Sequence, residues 1–370
     1  MLLTNLSIQQ FKNYQTVGCT FHDKVNCFVG DNGAGKTNLL DAIYYLCLSK
    51  SYFNPVDRQN IQHGESFFVL EGEFVITERS DRIRCVVQTG KKKELTRNKV
   101  PYDKIAEHVG AFPVVIVTPD DNVLVLGGSE ERRKYIDNVL SQIDRSYLQD
   151  LMNYNRTITQ RNSTLKKFAE QDRFNQSLLA SYDDALINPG QRIFERRKEI
   201  VEALVPKFQA YYRAISGNRE QVSITYQTDL HHSSFASLLQ ESREKDRVLQ
   251  RTTKGIHRDD LVFTIDGHPT KKFGSQGQQK SFLIALKLAQ YDVMFHHHNT
   301  APLLLLDDIF DKLDEERVQH LLQCINENQF GQIFLTDTNC TRVSSLFDGG
   351  EDQVKIMDIV DGQVKTGGRI

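Results

Sequence analysis

Two stretches of this sequence carry residue types suited to triphosphate chemistry. Gly30-Asp31-Asn32-Gly33-Ala34-Gly35-Lys36-Thr37 places glycine at its first, fourth and sixth positions and closes on a lysine and a hydroxyl. Glycines let successive backbone N–H groups turn inward around phosphate oxygens, a lysine there bridges the β and γ oxygens, and the threonine hydroxyl is a ligand for Mg²⁺. Far downstream, Leu303 to Leu306 run straight into Asp307-Asp308. A buried strand that ends in carboxylates supplies the second grip on Mg²⁺, opposite Thr37. Asp307 is the expected metal residue, acting mainly through a water. Asp308 is placed to orient or deprotonate an attacking water, with Lys36 stabilising the charge that develops.

Rigid elements must aim these groups. Val25-Asn26-Cys27-Phe28-Val29 is an apolar run directly ahead of the glycines, and Leu39, Leu40, Ile43, Leu46 and Cys47 follow at helical spacing. This predicts strand, loop, helix. Short strands are expected from Leu3 to Val29, an antiparallel meander between Phe67 and Val100, and a buried strand at 112–117. From Ser129 to Asn188 there is neither Gly nor Pro, and Ile136, Val139, Leu140, Ile143, Leu148, Leu151 and Met152 recur at three and four, which predicts helices. Pro189-Gly190, Pro206 and Gly217 should break that region into a few packed helices. A strand is expected at 222–226, and the last third alternates: helix 281–295, strand 303–306, helix 315–326, strand 332–335, hairpin 355–364. The expected organisation is 1–125 and 251–370 as two parts of one α/β head, with a helical lobe at 126–250.

Composition bounds the rest. The 370 residues are 39% hydrophobic and 25% charged, near globular averages. No apolar run approaches the ~20 residues of a membrane helix. The N-terminus has no basic segment followed by an apolar one, so the cytoplasm is the expected location. Six scattered cysteines without a Cys-x-x-Cys pair read as reduced thiols. With a net charge of −2, any nucleic-acid binding has to come from local basic clusters.

A third stretch, Phe273-Gly274-Ser275-Gln276-Gly277-Gln278-Gln279-Lys280, precedes the helix expected at 281–295. Ser-x-Gly-Gln-Gln-Lys resembles the signature of ATP-binding-cassette (ABC) ATPases, where a serine hydroxyl and glycine N–H at a helix start meet a γ-phosphate held by the other protomer. The resemblance implies that Ser275, Gly277, Gln278, Gln279 and Lys280 form half of a site. Two ATP sites then arise only when two copies meet face to face, as an isologous dimer. ABC proteins usually carry Glu where Asp308 stands, and the shorter side chain implies slow hydrolysis.

The order of motifs along nearly the whole chain is similar to the RecF family, bacterial recombination proteins that are short-armed relatives of the SMC proteins. The match runs through Phe11-Lys12-Asn13-Tyr14, the phosphate loop extended by Asn38, Phe112-Pro113, Arg132-Arg133-x-x-Ile136-Asp137, Tyr154-Asn155-Arg156 and Gln160-Arg161-Asn162. It continues through Gly255-Ile256-His257-Arg258-Asp259-Asp260 and the signature to Asp307-Asp308. The resemblance implies an ABC-type head formed from both chain ends with an inserted, mainly helical lobe. It also implies a weak ATPase acting as a switch, with ATP and Mg²⁺ as cofactors and a homodimer formed on ATP. The expected partners are DNA at a single-strand gap or single/double-strand junction and recombination mediator proteins, and the expected work is loading the RecA recombinase in repair, replication and the SOS response. Departures are Ile256, where Pro is usual, and Thr336-Asp337-Thr338, where many ABC ATPases have His. In the D-loop equivalent, Asp311-Lys312-Leu313-Asp314, Asp311 replaces a usual Ser. No Q-loop glutamine can be placed.

Candidate DNA-phosphate contacts are Lys91, Lys92, Lys93, Arg97 and Lys99, together with Arg192, Arg196, Arg197 and Lys198 in the helical lobe. Each group also reads as a solvated charged face. His257 either reports nucleotide state or forms a hydrogen-bonding corner. Among rival readings, a transporter ATPase subunit is opposed by the roughly 240-residue separation of Lys36 from Ser275, since in transporters the signature lies much closer to the phosphate loop. An SMC-like structural scaffold needs a long coiled coil, which the Pro and Gly breaks oppose. A defence ATPase would keep the fold and change the job.

Overall fold

The computed structural model describes residues 1–311, 313–327, 330–338 and 354–366. Lys312 of the D-loop equivalent and Cys340 lie outside the described residues. Strands β1 (Leu2–Phe11), β2 (Tyr14–Thr20) and β3 (Val25–Val29) lead into helix α1 (Lys36–Leu48), followed by β4 (Phe67–Ile76), β5 (Arg79–Gln88), β6 (Glu94–Arg97), β7 (Val100–Pro101) and β8 (Val114–Val117). Then come α2 (Val123–Leu126), α3 (Ser129–Ile143), α4 (Arg145–Glu170), α5 (Gln176–Ser216), β9 (Val222–Gln227), α6 (Phe235–Glu241), α7 (Arg243–Leu249), β10 (Asp260–Ile265), β11 (His268–Pro269) and α8 (Thr270–Phe273). The last elements are α9 (Gln276–His298), β12 (Leu303–Leu306), α10 (Glu315–Glu327), β13 (Ile333–Asp337), β14 (Val354–Val360) and β15 (Gln363–Thr366). Among the described residues no helix is long and apolar enough to cross a membrane.

Among the described residues, two six-stranded sheets and one of three strands form, in the orders β2-β1-β4-β5-β6-β7, β15-β14-β3-β13-β12-β8 and β11-β10-β9. In the second, β3 from the N-terminal region lies between β13 and β14 from the other end of the chain, and β12 lies between β13 and β8, all in parallel. The chain's two ends thus build one α/β head of the ABC type. Strands covered on both faces read as unbroken apolar runs, which is why Leu303–Leu306 and Val25–Val29 show no alternation. α1 touches β1, β4 and β5 of the antiparallel sheet and β8 and β13 of the parallel one. Every residue from Leu39 to Leu48 is buried, as a helix packed on all sides requires. Phe11, Tyr45 and Phe68 meet edge to face in this core, at centroid separations of 5.1 to 6.1 Å.

By contact the chain forms two compact units. One comprises Met1–Asp121, Tyr211–Asn218 and Gln276–Ile370; the other comprises Asn122–Ala210 and Arg219–Ser275. Composition had put the return to the head at 251, but β10 pairs with β9 along Leu261↔Tyr226 to Ile265↔Val222, so this small sheet goes with the helices.

The helical region corrects one expectation. α5 is a single helix of 41 residues that runs through Pro189-Gly190 and Pro206. The expected breaks fail because Leu186, Ile193, Ile200, Leu204 and Phe208 recur as a buried stripe on both sides of the prolines, and packing of that stripe outweighs a local cost of ~3 kcal/mol per proline. Gly190 fits the helix for a packing reason: a Cβ there would meet the Phe235 ring at 2.4 Å. Gly217 does end the helix, at φ +66°, with the Asn218 N–H returning to the Arg213 carbonyl at 2.9 Å.

Candidate nucleotide site

The phosphate loop joins β3 to α1 and is shaped by what packs behind it. A Cβ on Gly30 would meet the Ile359 carbonyl oxygen at 2.3 Å, and Gly33 and Gly35 have φ of +84° and +117°. Side chains are excluded there by space and by backbone conformation. The Tyr14 hydroxyl donates to the Gly35 carbonyl at 2.9 Å, and the Asn13 amide nitrogen lies 3.2 Å from the Ala34 carbonyl. Asn38 donates from its amide to Asn13 Oδ1 at 2.8 Å. Gly362, in the turn between β14 and β15, donates its N–H to Ala34 at 3.1 Å. The sequence motif Phe11-Lys12-Asn13-Tyr14 is thus the loop's rear support. Lys36 Nζ donates back across the loop to the carbonyls of Gly30 at 2.6 Å and Asp31 at 2.9 Å, while Asp31, Asn32 and Gly33 are exposed at its rim.

β12 delivers its carboxylate to the first turn of α1. Thr37 Oγ1 lies 3.0 and 2.9 Å from the two oxygens of Asp307. Asp307 is 4% exposed, and burial raises its pKa, opposed by hydrogen bonds from Thr336 and Thr37. Thr336 was not anticipated as part of the site. Its hydroxyl donates to Asp307 Oδ1 at 2.9 Å and accepts from the Asp308 N–H at 3.0 Å. The signal was present: β13 pairs beside β12 in the register Leu306↔Leu335, so the next residues, Asp307 and Thr336, stand side by side. Asp308 is exposed and held at φ +47°, a left-handed conformation that Asp tolerates better than most residues. A threonine hydroxyl beside a carboxylate is the hard-oxygen pair that Mg²⁺ takes, and the glycine cradle suits a polyphosphate. The residues present fit both groups.

α9 begins at Gln276, so Ser275 stands exposed at the cap position of a 23-residue helix. Gly277, Gln278 and Gln279 are half-buried on its first turn. Lys280, expected in the same half-site, is 4% exposed. Arg317 of α10, a further residue the sequence did not single out, donates to Ser281 Oγ at 2.8 Å and reaches the Gly277 carbonyl at 3.4 Å.

The basic candidates divide. Arg197 cannot reach DNA: it is 1% exposed and donates to Asp137 at 2.8 Å, Asp259 at 3.1 Å and the Ile256 carbonyl at 2.7 Å. Two sequence motifs thus meet at it, through Asp137 and through Ile256 and Asp259, and they are tied to each other: Arg132 pairs with Asp260 at 2.7 Å and Arg133 donates to the Asp259 carbonyl at 2.6 Å. Arg161 is likewise buried between Asp183 and Asp246. These motifs frame the second unit's interior. His257 forms a corner there, between the Tyr154 hydroxyl at 2.9 Å and the Thr252 carbonyl at 3.1 Å, and burial depresses its pKa to about 4. Lys93 is ion-paired with Asp57 at 2.8 Å and Arg97 with Asp81 at 2.6 Å. Arg196 pairs with Asp144 and Glu199 yet stays half exposed, while Lys91, Lys92 and Lys99 are exposed.

Comparison with known proteins places this geometry in a family. The model of the RecF/RecN/SMC N-terminal domain matches residues 2–358. The chain is 47% identical over 359 residues to the DNA replication and repair protein RecF of Flavobacterium johnsoniae, covering 97% of this chain and 100% of that one. It is 42% identical over 367 residues to RecF of Phocaeicola vulgatus, covering 98% of each. Among solved structures, it is similar to an ATP complex of RecF, a recombination mediator protein of the RecFOR pathway, with TM-score 0.88, 27% identity and coverage of 99% and 97%. An SMC head bound to the winged-helix domain of ScpA shares the fold at TM-score 0.59. A glycine cradle backed by Asn13 and Tyr14, a Thr37–Asp307 pair and a helix that begins just after Ser275, on a chain matched by the family over residues 2–358, make this protein a member of the RecF family of SMC-like ABC ATPases.

Proposed function

We propose that this protein is an ATP-dependent DNA-binding switch of recombinational repair and replication, working in the cytoplasm. The observation that carries the reading is the meeting of Thr37 and Asp307 at 2.9 Å across 270 residues of chain, because it joins phosphate grip to metal grip in a chain that also carries Ser275 at a helix start. Thr37 and Asp307 would hold Mg²⁺, which when bound neutralises phosphate charge. Lys36 binds and orients the triphosphate from the loop. Asp308, exposed beside Asp307, orients and accepts a proton from the attacking water. Ser275 and the N–H groups of the first turn of α9 bind the γ-phosphate held by a second copy. Nucleotide binding then favours a dimer that holds DNA at a single-strand gap or junction, and slow hydrolysis releases it. Lys91, Lys92, Lys99 and Arg196 are the exposed cations proposed to meet DNA phosphates. Recruitment of recombination mediators and help in loading RecA come from the relatives' names and the family resemblance.

Sedimentation with ATP and Mg²⁺, with and without gapped DNA, tests this reading. Wild type should dimerise on ATP, Lys36→Met should not, and Asp308→Asn should accumulate the ATP-bound dimer with turnover reduced on the order of 100-fold. A Lys36→Met protein that dimerises as readily as wild type would end the switch reading.

A further inference from the structure

A buried polar cluster in the head lies apart from the phosphate site. Asp121 is 3% and Lys287 4% exposed, with Lys287 Nζ 3.0 Å from Asp121 Oδ1. The Tyr52 hydroxyl donates to the same carboxylate and accepts from Lys287 at 3.3 Å. The other Asp121 oxygen takes the Thr118 N–H at 2.7 Å, just past the end of β8. Tyr52 also leads onward: its N–H donates at 2.7 Å to Asp41 Oδ1, and Asp41 Oδ2 takes the Ser51 hydroxyl and the Lys12 ammonium, both at 2.6 Å. Asp41 is on α1, behind the phosphate loop; Lys287 is on α9, which starts beside Ser275. One continuous chain of directional contacts therefore runs from the phosphate-loop helix, past the edge of β8, to the signature helix.

Apolar side chains would hold two helices together at lower desolvation cost than a buried lysine and two aspartates. Apolar contacts tolerate sliding, whereas a buried ion pair and its hydroxyl bridge have narrow limits of distance and angle. We infer that Lys287 and Asp121, bridged by Tyr52, are positioning residues that fix the axial and rotational setting of α9 against α1, so that Ser275 of one copy meets the triphosphate held by another. This inference rests on the reading of Ser275 given above. Lys287 lies about 16 Å along the helix from Gln276, and a helix transmits a setting over that length as a rigid rod. Misplacement of a phosphate contact by about 1 Å costs on the order of 100-fold in rate, so a small slip of α9 has a measurable effect.

The experiment separates nucleotide capture from signature engagement. Binding of a fluorescent ATP analogue to dilute, monomeric protein reads the phosphate loop; ATP-dependent sedimentation and turnover read the signature. For Lys287→Met, analogue affinity should stay within about twofold of wild type, while dimer formation and turnover fall roughly 10- to 100-fold, and Lys287→Arg should recover most of the loss. Tyr52→Phe, which keeps the ring and removes one bridge, should show the same split with smaller size and carries the test if Lys287→Met does not fold. Wild-type dimer formation in the folded variants overturns the inference, as does an analogue affinity that falls in parallel with dimer formation, the result of a merely structural loss. Ser275→Arg is the control: if it dimerises normally, the signature reading itself fails, whereas loss of the dimer in Ser275→Arg but not in Lys287→Met removes the positioning role alone.

Discussion

The carboxylate of Asp307 is held between two hydroxyls, Thr37 from α1 and Thr336 from β13. Burial raises its pKa, and the neighbouring Asp308 adds to the rise, against the opposing hydrogen bonds and Lys36. Only the ionised form binds a cation, so affinity for Mg²⁺ should start to decline, as pH falls, above the usual carboxylate range. Thr336 both orients Asp307 and fixes the backbone of Asp308. Thr336→Val removes those bonds with little change of volume. It should raise the Mg²⁺ concentration for half-maximal turnover on the order of 10- to 100-fold, as loss of an outer-shell partner does at metal sites. An unchanged Mg²⁺ titration would show that Thr37 and the backbone suffice to orient the carboxylate.

At the scale of elements, α5 shows a helix imposed by packing over local preference. Pro206 is exposed, so its missing N–H and the displaced carbonyl one turn earlier are its main effects on the native state. Pro206→Ala should stabilise the protein by about 1 to 2 kcal/mol, the helix-propensity gain less the entropy that proline removes from the unfolded chain. Gly190→Ala should do the reverse despite alanine's better propensity, because the added Cβ meets the Phe235 ring at 2.4 Å. Denaturant unfolding followed by far-ultraviolet circular dichroism checks both signs, and a stabilised Gly190→Ala would mean that the ring yields easily.

For the molecule as a whole, acid stability follows from buried imidazoles. His108 is fully buried, with Nε2 2.7 Å from the Leu46 carbonyl and Nδ1 3.1 Å from the Tyr102 hydroxyl. Burial, with some help from Arg97, lowers its pKa from 6.5 to about 4. Between those values the unfolded chain is protonated and the folded one is not, so stability falls as pH drops from about 6.5 toward 4, by about 3 kcal/mol for this group. His257, at about 4 for the same cause, adds a second contribution of that sign. Asp259 and Asp307, whose burial raises their pKa above the usual 3.8, act in the opposite sense as pH falls through their raised values toward 3.8. The assay is therefore a difference: His108→Gln should be less stable than wild type at pH 7 but lose less stability between pH 6.5 and 4. Parallel stability curves for the two proteins would remove His108 as a source of acid lability.

The glycine loop between β3 and α1, the strand that ends at Asp307-Asp308, the helix start after Ser275 and most strands and helices were legible in sequence because each rests on local rules: glycine conformation, apolar runs, and periods of two or three to four. The tertiary structure decided what depends on contacts remote in sequence. Thr336 joins Asp307 through strand register, the β14–β15 turn supports the loop through Gly362, and Arg197, which reads in sequence as a surface cation, is interior because Asp137 and Asp259 neutralise it from either side. The continuity of α5 through two prolines belongs here too, since a residue's propensity is a local quantity and the burial that overrides it is not.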